Sequence, residues 1–154
     1  MIVRRRLGSI LTAFLLIGLV GCGGDDDNGM SPEIDDLIGT WVATSLVWAE
    51  VGGGATDDLT AAGETATLVF RNDLTYSFTQ VTLGPPLETR SEDGTYAVTG
   101  SVLTVTPDSD GSDAIEIVTL TSTALTLRLP VDQYDFNDDG NGTPAFFTLV
   151  FVKQ

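Results

Sequence analysis

The chain has 154 residues, with 22 Asp and Glu against 7 Lys and Arg, one cysteine and no histidine. A net charge of −15 excludes recognition of nucleic acid through its phosphates, which needs clustered cations. Without histidine, Ser-His-Asp and Cys-His catalysis, His-ligated zinc and most general-base chemistry near neutral pH are excluded as well.

The chain opens with Arg4, Arg5 and Arg6, followed by an apolar run from Leu7 to Val20. That run has the length of a signal-peptide core, roughly 7–15 residues, and falls short of the ~20 that span a bilayer. It ends in Leu19-Val20-Gly21-Cys22 where an ordinary cleavage site would carry Ala-x-Ala. Residues 1–21 therefore resemble the signal peptide of a bacterial lipoprotein precursor, with that tetrapeptide as the lipobox. The resemblance implies cleavage after Gly21, a diacylglyceryl group on the Cys22 sulfur, and a mature protein held in the bacterial cell envelope. The alternative is a secreted protein with a chance cysteine, which would leave an unpaired thiol in an oxidising compartment. Gly23 after the cysteine, where enteric lipoproteins retained in the inner membrane carry Asp, points to the outer membrane. Two or three acyl chains anchor firmly, since each buried methylene contributes about 0.8 kcal/mol. Residues 22–32 then read as a lipidated tether: Gly23 to Ser31 (GGDDDNGMS) has only Met30 to bury. After removal of the signal, four basic residues face 22 acidic ones, a net charge of −18. Such a charge suits solubility, divalent cations or a basic partner.

Residues 33–154 form the folded domain, and they read as strands almost throughout. Val, Thr, Leu, Phe and Tyr alternate at period two, and turn residues recur every eight to twelve positions. Strands are expected at 40–48, 65–71, 74–82, 94–99, 102–107, 114–121, 124–130 and 145–153. Leu68 and Phe70 share one side of their strand, as do Tyr76 and Phe78, Tyr96 and Val98, Leu103 and Val105, and Leu125, Leu127 and Leu129. One-sided alternation suits a sheet with one wet face. The last strand, Phe146 to Val152, is apolar on both faces and is expected to be the most buried. Asn72-Asp73, Thr99-Gly100 and Asp110-Gly111 supply turns. Ala49 to Glu64 is a long break, with Gly52-Gly53-Gly54 and with Asp57-Asp58 placed to cap one helical turn. It reads either as a lid or as a surface insertion. The expected fold is all-β, an eight-stranded antiparallel up-and-down barrel, closed or nearly so.

Leu37-Ile38-Gly39-Thr40-Trp41 resembles the Gly-x-Trp opening of lipocalins. The stretches Leu68–Asp73, Thr75–Phe78 and Gly94–Val105, followed by Leu125-Thr126-Leu127, are similar in kind and order to lipocalin-like domains of bacterial lipoproteins. The resemblance spans residues 37–153. It implies a lipocalin-like (calycin) barrel in which Trp41 plugs one end, stacked by a late-strand cation for which Arg128 is the candidate. The Thr-Asp-Tyr motif of true lipocalins and their disulfides are absent. A barrel of this kind implies a small apolar or amphipathic ligand, lined by Leu68, Phe70, Tyr76, Phe78, Tyr96, Leu103, Leu125 and Leu127.

Two acidic loops carry the remaining candidates. Asp135-Phe136-Asn137-Asp138-Asp139-Gly140 fits the first half of a calcium-loop pattern, D-x-[DN]-x-[DN]-G. Calcium takes six to eight oxygens, which Asp135, Asn137 and Asp139 would supply with side chains and Asn141 with its carbonyl. Phe146 stands where the bidentate Glu of such a loop belongs, so the segment reads equally as a soluble hairpin turn. Asp108 to Asp113 reads as a turn. No carboxylate pair is singled out for glycoside chemistry, and no enzymatic activity is expected. A ligand-binding barrel is the first expectation. A structural or interaction module of the envelope, calcium-stabilised, solidly packed and facing a protein or glycan, is the second.

Overall fold

The computed structural model describes residues 34–83, 86–109 and 111–154. The signal, Cys22 and the tether of residues 22–32 lie outside the described residues, as does Asp110. Ser31–Gln154 is a compact unit in itself, and among the described residues it holds every strand and the buried core. It therefore meets the definition of an independent folding unit.

A single helical turn, α1 (Ile34–Leu37), leads into nine strands. These are β1 (Gly39–Glu50), β2 (Thr56–Asp58), β3 (Thr65–Phe70), β4 (Thr75–Thr82), β5 (Glu88–Thr99), β6 (Val102–Pro107), β7 (Asp113–Leu120), β8 (Ala124–Tyr134) and β9 (Thr143–Lys153). From β3 onward each strand pairs antiparallel with the next, and β9 returns to β1 over nine residue pairs from Trp41↔Lys153 to Glu50↔Ala145. Eight strands thus close a barrel, each pairing with a neighbour on both sides along at least part of its length. All eight expected strands are present. β2 is an addition that the sequence did not announce, because Thr-Asp-Asp carries no strand pattern.

Alternation dictates the core. A bulge between Ala43 and Ser45 shifts the inward face of β1 from odd to even positions, so Trp41 and Leu46 are both completely buried. Ala66, Leu68 and Phe70 of β3, Leu103 and Val105 of β6, Ile115 and Ile117 of β7, and Leu125 and Leu127 of β8 complete the interior. The last strand corrects an expectation. Only Ala145, Leu149 and Phe151 are buried, while Val152 is 41% exposed on the outer face. β9 lies in a closed barrel with water outside, so even an all-apolar strand has one wet side.

The Ala49–Glu64 segment is not an open loop. After the turn at Val51–Ala55, β2 pairs with β1 (Val47↔Asp58, Trp48↔Asp57, Ala49↔Thr56). Beyond it, Leu59 N donates to the Leu46 carbonyl at 2.9 Å, and Leu46 N donates to Thr60 Oγ1 at 2.7 Å. Asp58 Oδ1 accepts from Ala61 N at 3.0 Å, capping a turn as the sequence suggested. The segment is sewn along the edge of β1 that β3 leaves free.

β6 and β7 are short, and the sequence says why. Pro107 ends β6, and the residues from Asp108 to the start of β7 at Asp113 are turn formers. The β5–β6 ladder therefore begins only at Gly94↔Pro107, and the β7–β8 ladder ends at Glu116↔Arg128. Among the described residues, no strand pairs with Glu88–Asp93 of β5 on the β6 side, or with Leu129–Tyr134 of β8 on the β7 side. Pro130, which cannot donate to a ladder, falls just where β7 has left. One end of the barrel is consequently notched between β5 and β8. At the notch's inner corner a Cβ on Gly94 would collide with the Thr106 carbonyl and lie 2.8 Å from Pro107 Cα, so glycine is what lets β5 cross so close to β6.

Candidate functional site

The two ends of the barrel differ in chemistry. At one end α1 caps the core: Leu37 and Trp41 are fully buried, and the Trp41 indole N–H donates to the Leu37 carbonyl at 2.7 Å. Trp41 thus lies buried at this end of the barrel, where the resemblance expects a plug. Its cation is Lys153 of β9, whose Nζ lies 5.0 Å from the ring centroid and donates to the Asp36 carbonyl at 2.9 Å. Arg128 does not take that role. It lies on the outer face of β8, bound to Glu116 Oε2 at 2.6 Å and poised 5.1 Å over the Phe146 ring, as its position opposite the leucine face requires. Around the plug, Phe70 meets Tyr96 edge-on at 4.8 Å, and Tyr96 donates to the Arg71 carbonyl at 3.0 Å. Burial, followed by the charges of Asp73 and Asp35, pushes the Tyr96 phenol above its ordinary range.

All eight expected lining residues point into the barrel. Leu68, Phe70, Tyr76, Tyr96, Leu103, Leu125 and Leu127 are buried in one cluster, and Phe78 packs against it partly buried. They do not form one surface. Phe70, Tyr96, Leu103 and Leu125 belong to the plugged end, through pairs such as Leu125↔Phe151. Phe78 faces the other half, beside Glu92 of β5 (Phe78↔Glu92).

In that other half the inward positions of β1, β4, β5, β8 and β9 are only half-buried: Trp48, Phe78, Gln80, Glu92, Leu129, Val131 and Phe147. Trp48 is sandwiched between Phe147, at 4.2 Å and 11°, and Tyr134, at 4.4 Å and 18°, while Phe136 meets Tyr134 edge-on. Each such ring pair contributes about 0.5–1.5 kcal/mol beyond area burial. The Tyr134 hydroxyl donates to Asp57, which the pairing of β2 with β1 sets beside Trp48. Two polar groups reach the interior here. Gln80 donates to Glu64 at 2.7 Å, and Glu92 accepts the Tyr76 hydroxyl at 2.6 Å. Burial, then the hydrogen bond to Glu92, pushes the Tyr76 phenol well above its ordinary range. The rim is apolar at Val51, Leu83 and Leu87, each about half exposed.

Sequence reading missed Trp48, Asp57, Glu92, Tyr134 and Phe147. Phe147 sat in an expected strand without being assigned a face. Tyr134 lay beyond the expected end of its strand, and Glu92 within a polar stretch, Glu88–Asp93, that reads as loop.

The Asp135–Asn141 loop is closed by its own hydrogen bonds. Asp135 accepts the amides of Asn137 and Asp139 at 3.3 Å each and of Gly140 at 2.8 Å, and these contacts, Gly140 first, hold its carboxyl below the usual range. Asp139 accepts from the Asn141 amide at 2.7 Å and from the Asn137 side chain at 3.1 Å. Oxygens expected to face an ion thus face N–H groups, and among the described residues no group of three or more acids, His or Cys is placed to hold a metal.

The chain matches the family model of a lipocalin-like domain over residues 37–127. It is similar to the crystal structure of a lipocalin-like protein from Bacteroides uniformis, at 15% identity over 77% of this chain and 99% of that one, with a TM-score of 0.46. It is also similar to bovine odorant binding protein in complex with a selenium-containing odorant, at 18% identity, 88% and 78% coverage and a TM-score of 0.47. The same bovine protein with undecanal matches at 19% identity, 86% and 77% coverage and 0.47. No curated protein matches the chain.

Proposed function

Because the chain belongs to the lipocalin-like domain family, we propose that its barrel is a non-catalytic receptor for one small apolar or amphipathic molecule, taken up through the end opposite the Trp41 plug. The observation that carries this reading is the asymmetry of the interior. At the plugged end the inward side chains are sealed from water, whereas Trp48, Phe78, Leu129 and Phe147 point inward at the other end and remain in partial contact with it. Apolar groups converging on an accessible concavity, with a few polar groups among them, are what a ligand site requires. The test uses the Ser31–Gln154 domain and the fluorescent probe N-phenyl-1-naphthylamine. Saturable binding, weakened about tenfold or more by Trp48→Ala, supports the proposal; no saturable binding and no thermal shift refutes it.

The proposal includes the address. Cys22 carries the lipid, residues 23–32 hold the barrel off the membrane, and the ligand is met on the outer side of a bacterial membrane. The lipobox motif supports this part. Metabolic labelling with palmitate marks the protein, and Cys22→Ser abolishes the label; a label that survives the substitution overturns it.

A further inference from the structure

Where β6 ends beside β5 there is an open cleft of about 320 Å³, lined by Arg90, Ser91, Glu92 and Asp93 of β5 and by Asp108 and Ser109 of the β6–β7 connection. Three carboxylates, two hydroxyls and one guanidinium therefore line it. Glu92 belongs to both the cleft and the barrel. Strand alternation turns it inward beside Phe78, its Oε1 accepts the hydroxyl of buried Tyr76 at 2.6 Å, and its side chain is still 22% exposed. Its other oxygen faces Arg90 Nη2 at 3.3 Å, a long contact to a side chain that is 61% exposed. Exposed pairs of that kind are weak and easily exchanged. The cleft is thus polar and net negative, and Glu92, which lines it, also faces the apolar, half-open interior beside Phe78.

From this juxtaposition we infer that the barrel discriminates by head-group charge, taking amphiphiles with a cationic, hydrogen-bond-donating head and rejecting carboxylates, with Glu92 as the specificity-determining residue. The tail lies against Phe78, Leu129, Phe147 and Trp48. The ammonium takes the place of the Arg90 guanidinium on Glu92 Oε2, while Tyr76 continues to hold Oε1 in position. A carboxylate head in the same place would face Glu92, Asp93 and Asp108 with only Arg90 to offset them. Like-charge apposition at partly desolvated sites is how binding proteins reject a competitor of the same shape.

The inference rests on the barrel-binding reading, and three ligands of one chain length separate the two. Dodecylamine and dodecanoate, below their micellar concentrations, and dodecanol, below its solubility limit, are titrated with the Ser31–Gln154 domain by calorimetry. Dodecylamine is expected to bind at least tenfold tighter than dodecanol, and dodecanoate at least tenfold weaker than dodecanol. Glu92→Gln keeps an acceptor for Tyr76 and is expected to reduce the amine preference to threefold or less. Asp35→Asn, an equal charge change on α1 at the plugged end, is expected to leave it intact. Asp108→Asn, on the exposed wall of the cleft, weakens the preference independently of the interior and serves if Glu92→Gln does not fold. Dodecanol binding with no advantage for the amine, tighter dodecanoate, or equal losses in Asp35→Asn and Glu92→Gln overturns the inference and leaves the barrel reading standing. Failure of all three ligands to bind overturns the barrel reading itself.

Discussion

Replacing Trp41 by Phe probes the plugged end with the least change of shape. The indole is completely buried, and its N–H is the partner of the Leu37 carbonyl at 2.7 Å. Phe keeps an aromatic face for Lys153 but leaves that carbonyl without its donor, at a cost of about 1–3 kcal/mol. Truncating a buried Trp to Ala costs about 3–5 kcal/mol, so the smaller loss of ring volume adds about 1–2. The sum, about 2–5 kcal/mol, is a large share of the roughly 5–15 kcal/mol that stabilises a typical domain. At roughly 3–5 °C per kcal/mol for a domain of this size, Tm falls by about 6–25 °C. Urea denaturation of the Ser31–Gln154 domain, followed by circular dichroism, measures the loss at unchanged m-value. The same variant at a temperature where it is folded binds N-phenyl-1-naphthylamine within threefold of the parent, because the plug lies at the end the ligand does not use. A loss under about 1 kcal/mol refutes the capping account, and a tenfold loss of probe affinity refutes the division of the barrel into two ends.

Gly94→Ala forces a methyl group into the Thr106 carbonyl, a backbone atom that cannot turn aside, and is expected to cost about 3 kcal/mol or more by overpacking. Leu74 holds φ at 62° in the β3–β4 turn, where Asp73 accepts from Thr75 N at 3.1 Å. A left-handed leucine costs roughly 1–2 kcal/mol, so Leu74→Asn raises stability by about 0.5–1 kcal/mol, read from the denaturation midpoint. Asp135, with a carboxyl held below its ordinary value by backbone amides, contributes order to its loop above the unfolded carboxylate pKa of about 3.9 and loses it as pH falls through the lower, folded value. The protection factor of the Gly140 amide is therefore constant from pH 7 to 5 and falls only below about pH 4. Loss of protection already at pH 5–6 would show that the carboxylate is not what orders the loop.

Most of the barrel could be read from residue order. Period-two alternation located all eight staves and the inward faces of five of them, because in an antiparallel sheet with one wet side the pattern and the burial are the same fact. What the pattern could not carry is pairing beyond the apolar runs. Glu88–Asp93 extends β5 because β4 offers Val81, Gln80 and Phe78 as partners, and Val131–Tyr134 extends β8 because β9 offers Ala145 and Thr143. Neither extension has strand composition of its own. The mouth is built from those extensions, so Glu92 and Tyr134 escaped notice while the plug did not. Arg128 and Lys153 illustrate the same limit: both are cations on late strands, and only the closing β1–β9 register brings Lys153 opposite Trp41.

The chain's two tryptophans make the central claim directly measurable. Trp41 reports the plugged end through an indole N–H bonded to Leu37, and Trp48 reports the mouth from between Phe147 and Tyr134. Dodecanol titrated into the ¹⁵N-labelled Ser31–Gln154 domain is expected to shift the Trp48 indole resonance saturably while the Trp41 resonance stays in place. A saturable shift of Trp41 with Trp48 unmoved, or no shift of either up to the solubility limit of dodecanol, contradicts a ligand site at the open end of the barrel.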